Sequence, residues 1–257
     1  MQKFLFISLF VIALALVLAN LYGKETAGQV SNILYLIVPG ALLVLSILIS
    51  IRFGTKGNHA KAWIMFACFA SSWFIAERMW MVYDLVYHIE PFPSWADLFY
   101  LAGYPFLFIF AAYYIKPIKN ISKNTLLVAF VFSTIMLSIS MYLTSNADFG
   151  DDLISYALAA SYPVFDSIIL FPAVVGIILF FKGKVNFLWS LICSAIIINV
   201  FADVGFLFAQ ADDSFYTGHP IEVLYLWSYA LFSFGVYSHI LIFKNHKKDP
   251  YKKDDLR

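Results

Sequence analysis

The sequence predicts an all-α, polytopic integral membrane protein with eight transmembrane helices. Three observations carry this expectation. Hydrophobic residues make up 62% of the 257 positions and charged residues only 13%, too little polar surface for a soluble chain of this size. Apolar runs of about 20 residues, each long enough to cross a hydrocarbon core of about 30 Å, recur from end to end. The charges fall in the short connections, with opposite signs in alternate connections. Segments of about 10 strictly alternating residues, the mark of a membrane β-barrel, do not occur.

The spans read as 4–22, 32–52, 62–84, 95–115, 125–143, 153–181, 185–209 and 220–243. They form one transmembrane domain, 1–243, followed by a short basic cytoplasmic tail, 244–257. Lys and Arg mark the cytoplasmic side. Arg52, Lys56 and Lys61 follow span 2, Lys116, Lys119 and Lys123 follow span 4, and Lys182 and Lys184 follow span 6. With Lys3 and the tail, this side holds all of the 17 basic residues except Lys24 and Arg78. The other connections are acidic, at Glu90, "ADFGDD" and "ADD". Both termini are therefore expected in the cytoplasm. Span 1 has a second reading as a signal peptide cut after Ala19, which leaves seven spans.

Spans 3–4 read as repeated in spans 7–8. Trp63 and Trp189 precede Glu77 and Asp203 at the same spacing, and each acid follows an alanine. Asp97, Tyr100 and Tyr104 match Glu222, Tyr225 and Tyr229. The copies lie an even number of spans apart, so the repeat is parallel, about an axis along the membrane normal. Pro39, Pro105 and Pro163 interrupt spans 2, 4 and 6, and each removes a backbone donor and kinks its helix.

Glu77 lies about 24 Å into span 3, Asp203 at a similar depth in span 7, and Asp166 nearer mid-membrane. A charge there costs from about 2.5 kcal/mol upward, so these residues face the bundle interior. Arg78 cannot meet its neighbour Glu77 on a helix, and Asp203 or Asp166 is its expected partner. Three acids and one arginine do not balance, so a proton, a cation or a ligand amine must complete them. The expected ligand-binding set is Glu77, Arg78, Asp97, Tyr100, Tyr104, Asp166, Asp203, Glu222 and Tyr225, around an outward-opening polar cavity. The competing reading is a buried ion pair and a neutral acid that only fix helix register.

Asp84 and His88 share one face of an expected helical extension. With Glu90, Asp97, Asp212, Asp213, His219 and Glu222 they make an acidic rim, solvated rather than metal-binding, because no ligand spacing fits a metal motif. Trp80, Tyr83, Trp95, Phe99 and Tyr100 read as an aromatic belt, the alternative being a pocket that stacks an apolar or cationic ligand. Cys68 and Cys193 read as core residues. The last span has no lysine for retinal, facing histidines for haem are lacking, and no hydrolase or nucleotide-binding motif occurs. No cofactor is expected. Nucleic-acid binding has no basic soluble domain to carry it.

"PFPSWADLFYLAGYPFLF" (91–108) resembles a motif of the multi-span membrane sensor regions that precede GGDEF-type diguanylate cyclase, EAL phosphodiesterase or histidine kinase domains in prokaryotes. "ASYPVFDSIIL" (160–170) is similar to a later segment of the same regions. The matching positions are Pro93, Ser94, Ala96, Asp97, Tyr100, Tyr104, Pro105, Tyr162, Pro163 and Asp166. The resemblance implies a membrane-embedded input module. Only 14 residues follow the last span, so the output domain is expected on a separate partner. The expected function is a non-enzymatic, sensor-like protein binding a small or lipidic ligand. The alternatives are a small transporter or proton relay using the three acids, an intramembrane hydrolase, and an accessory subunit of a membrane complex.

Overall fold

The computed structural model describes residues 2–89, 91–118, 120–147, 152–183 and 186–248. Glu90, Lys119, Asp148, Asp151, Lys184 and the end of the basic tail lie outside them. Among the described residues the chain forms eight α-helices and no strand: α1 (Gln2–Leu21), α2 (Lys24–Phe53), α3 (Asn58–Val82), α4 (Trp95–Ile115), α5 (Lys123–Asn146), α6 (Leu153–Phe181), α7 (Phe187–Ala211) and α8 (Glu222–Lys248). Polar residues start four of them. Ser94, Ser122, Asp152 and Asn186 each accept a backbone N–H of the first turn, satisfying donors the helix leaves free.

The helices close a ring. α2 packs on α3, α3 on α4, α4 on α6, α6 on α7, α7 on α8, and α8 back on α2. Outside the ring, α1 lies against α2 and α8, and α5 against α6 and α7. The outer helices present large apolar side chains outward, with Phe4 69% and Phe130 61% exposed, while Glu77, Asp97, Asp166 and Glu222 are buried. That inverted distribution suits a hydrocarbon solvent. Six helices, all but α3 and α8, are long and apolar enough to cross a membrane, as a multi-pass membrane protein requires. α3 and α8 carry more polar side chains and bury Ser72, Glu77, Ser228 and Ser233 within the ring.

In lipid, close packing and interhelical hydrogen bonds hold helices together, each bond contributing about 0.6–2 kcal/mol. Ser72 Oγ donates to the Phe99 carbonyl at 2.6 Å, Trp73 Nε1 to the Tyr100 carbonyl at 3.0 Å, and Ser228 Oγ to the Ala195 carbonyl at 2.9 Å. Gly103 makes the second of these possible. A Cβ there would collide with the Trp73 indole. At one end of the ring the interior is filled by Trp63, Phe66, Phe69, Phe110 and Phe232, all fully buried. Their rings interlock, with Phe66 4.7 Å from Phe110 and Phe69 5.3 Å from Phe232 between centroids.

One expectation fails here. α3 continues through a π-helical turn, Tyr83–Tyr87, and His88 then ends it in the left-handed region at φ 53°. His88 therefore does not share a helical face with Asp84. Asp84 instead accepts from Asn32 Nδ2 at 3.3 Å.

Candidate functional site: an acid-lined cavity in the helix ring

Beyond the aromatic plug the ring opens into a cavity of about 670 Å³. Trp73 stands at its wall next to the plug, and the α7–α8 connection borders it through Asp212, Asp213 and Phe215. The volume is that of a site for a drug-sized molecule.

Each buried acid around the cavity has its own donor. Tyr229 Oη donates to Glu77 Oε1 at 2.7 Å, and Tyr100 reaches the same carboxylate. Tyr225 Oη donates to Asp203 Oδ1 at 2.7 Å, and Asn199 Nδ2 to its other oxygen at 2.8 Å. Tyr162 Oη donates to Asp97 Oδ1 at 2.6 Å, and the Ser94 backbone N–H to Oδ2 at 2.7 Å. The Ser94 bond is half of a capping box that starts α4. Ser31 Oγ and the Gly218 backbone N–H donate to Glu222. Gly218 adopts φ +92° and abuts the α2 backbone, where a Cβ would strike Ala27. Only glycine brings that N–H so close.

Tyr104 Oη donates to Asp166 Oδ1 at 2.7 Å, and Asp166 meets Asp203 carboxyl to carboxyl. Two carboxylates in contact need a shared proton or a cation between them. Among the described residues no group of three His, Cys, Asp or Glu forms a metal site.

Of the nine residues expected at the site, the fold brings seven to the cavity: Glu77, Asp97, Tyr100, Tyr104, Asp203, Glu222 and Tyr225 all line it. Asp166 sits behind Asp203, outside the lining. Arg78 is a correction, because its partner is neither Asp203 nor Asp166. Its Nη2 donates to the Tyr35 backbone carbonyl at 2.6 Å, its Nη1 contacts Met81 Sδ at 3.4 Å, and the guanidinium lies over the Phe74 ring. Pro39 explains this. The Tyr35 carbonyl would bond the N–H of residue 39, and proline has none. The freed carbonyl takes the arginine. Sequence reasoning also left out Ser31, Tyr35, Tyr162, Asn199 and Tyr229, all of which line the cavity. Two signals pointed to some of them: Tyr229 is the repeat counterpart of Tyr104, and Tyr35 stands four residues before Pro39.

Comparison with known proteins finds no matching family model, no matching curated protein and no matching solved structure.

Proposed function

We propose that this chain is a non-enzymatic, sensor-like membrane protein that binds a small or lipidic ligand in the acid-lined cavity. One observation carries the reading: ionisable and phenolic side chains from α3, α4, α7 and α8 converge on one recess, closed behind by packed aromatic rings. A recess open at one end suits binding better than passage. The second reading, a proton- or cation-coupled transporter, draws on the Asp166–Asp203 contact, but it needs a path through Phe66, Phe69 and Phe232.

In this reading all eight helices span the bilayer, and both termini are cytoplasmic. The basic residues beside α2, α4 and α6 support that orientation, which turns the cavity outward. The reading also includes a parallel repeat. The α4–α6 and α8–α2 contacts of the ring are counterparts under it, as are Glu77 with Asp203 and Asp97 with Glu222. α1 counts as a retained span. Its support is Asn20 Nδ2 donating to the Gly218 carbonyl at 2.9 Å and Trp227 Nε1 donating to the Leu9 carbonyl at 2.9 Å. A separate signalling partner would read the helices as they shift between two packings with different ligand affinity.

The test is a thermal-shift screen of the purified full chain over lipids, amines and divalent cations, run beside Glu77→Gln. The expected result is a saturable stabilisation that Glu77→Gln weakens about tenfold or more. Stabilisation untouched by Glu77→Gln, or ligand-dependent flux through proteoliposomes, would overturn the reading.

A further inference from the structure

We infer that the cavity takes an organic cation carrying N–H groups, a protonated amine or guanidinium compound, with its charged head between Asp203 and Asn199. The inference rests on the proposed binding role of the cavity and names the class of ligand.

The lining is one-sided in its chemistry. Among the described residues it carries six carboxyl side chains, Glu77, Asp97, Asp203, Asp212, Asp213 and Glu222, and no lysine, arginine or histidine. Tyr225, Tyr229 and Tyr162 each give their phenolic hydrogen to a carboxylate. The oxygens of these three phenols are therefore left as acceptors. Asn199 completes the pattern. It is 3% exposed, its Nδ2 is committed to Asp203, and its Oδ1 is buried without a partner. A buried carbonyl oxygen calls for a donor, and none among the described residues supplies it. Asn199 lines the cavity, so a donor on what enters it is placed to supply the missing bond. An anion would meet six carboxyl groups and no basic side chain among the described residues, and a quaternary ammonium has no N–H to give. The aromatic faces of Trp73, Trp80 and Phe206 offer cation–π contact and cover for an apolar body.

The other half of the ring holds such a cation already. On α2, Pro39 frees the Tyr35 carbonyl and Arg78, the residue after Glu77, occupies it. On α6, Pro163 frees the Ala159 carbonyl in the same way, and Ala159 lines the cavity. The residue after Asp203 is Val204, which packs in an apolar cluster with Met136 and Val200. The guanidinium that α3 supplies from within the chain has no counterpart on α7. A diffusible cation fills that role.

The test uses the full chain in phosphatidylglycerol nanodiscs, titrated calorimetrically with agmatine, phenethylamine and spermidine, and with phenylacetate and 2-phenylethanol as anionic and neutral controls. At least one amine is expected to bind saturably, and Asp203→Asn to weaken it about ten- to hundredfold. Discs containing phosphatidylethanolamine separate the two sources of an ammonium group. Competition between that lipid and the free amines assigns the site to the headgroup, and its absence assigns it to a soluble amine. Either outcome supports the cation. Controls that bind as well as phenethylamine, or no amine whose binding depends on Asp203, would overturn it. A second measurement avoids altering Asp203. Gln210→Cys, with Cys68 and Cys193 replaced by alanine, is treated with cationic trimethylammonium-ethyl and anionic sulfonatoethyl methanethiosulfonate. The cationic reagent is expected to react about tenfold faster or more. Equal rates, or the reverse order, would overturn the cation. Silence towards both would overturn the open cavity itself.

Discussion

Tyr229 on α8 hydrogen-bonds Glu77 on α3 at 2.7 Å, although 152 residues separate them. Among the described residues the backbones of α3 and α8 do not pack on one another. The bond therefore crosses the ring interior, where the Tyr229 ring stands edge-on to Trp73 at 6.0 Å and to Tyr35 at 6.4 Å. It is the strut that fixes the cavity width.

Tyr229→Phe removes only the hydroxyl and leaves a buried acceptor one donor short. The expected loss is about 1–3 kcal/mol, read by equilibrium unfolding in detergent. In a Glu77→Gln background the same substitution should cost measurably less, because the charge-assisted bond is already gone. Equal costs in both backgrounds would assign the loss to packing.

Arg78 and Pro39 should also be coupled. Arg78→Met leaves the Tyr35 carbonyl without its guanidinium, at an expected cost of about 1–3 kcal/mol. Pro39→Ala restores the backbone N–H that this carbonyl lacks, so Arg78→Met should cost less on top of it. A double-mutant cycle over these two positions checks this. Additive losses would mean that the arginine serves some other group.

Two groups outside the spans set an acid limit. Partial burial, with Lys24 nearby, holds the His219 imidazole below its ordinary value of 6.5, and its Nδ1 accepts the Ile221 backbone N–H. The unfolded chain then binds the proton more readily than the folded one. Stability from this group is full above 6.5 and declines as pH falls through the lower folded value. Asp152, the N-cap of α6, is held below its ordinary 3.8 by the Ser155 hydroxyl and the Ile154 N–H. Its contribution is full above 3.8 and is lost at still lower pH. Thermal unfolding across this range should show both declines, and His219→Gln should abolish the upper one only.

The helices were legible because each is an apolar run ended by polar residues. The structure begins α2 at Lys24, eight residues before the apolar run, because the α7–α8 connection packs on "KETAGQVS" through Gly218 and overrides the weak helix propensity of its Thr, Gly, Val and Ser. Glu77, Asp203, Asp97 and Glu222 were legible as cavity residues because a buried acid needs company and their spacings repeat. Their partners were not. Which phenol reaches which carboxylate depends on the order of helices around the ring, and the α8–α2 and α4–α6 contacts carry no local sequence signal. Arg78 was misassigned for a related reason. Charge suggested a carboxylate, whereas the strongest unmet acceptor beside it was a carbonyl released by a proline.

α8 carries Glu222, Tyr225 and Tyr229 at one extremity and runs on without proline to Lys248, whereas α2 and α4 each hold one and α6 holds two. At 1.5 Å per residue its 27 residues make a rod of about 40 Å. A tilt of about 5° at its acidic tip swings the far end by about 3.5 Å, the scale of helix shift that switches other proteins. Of the helices it packs against, α2 can yield at Pro39 while the rod stays stiff, so a small tilt at the acids is amplified at the far end.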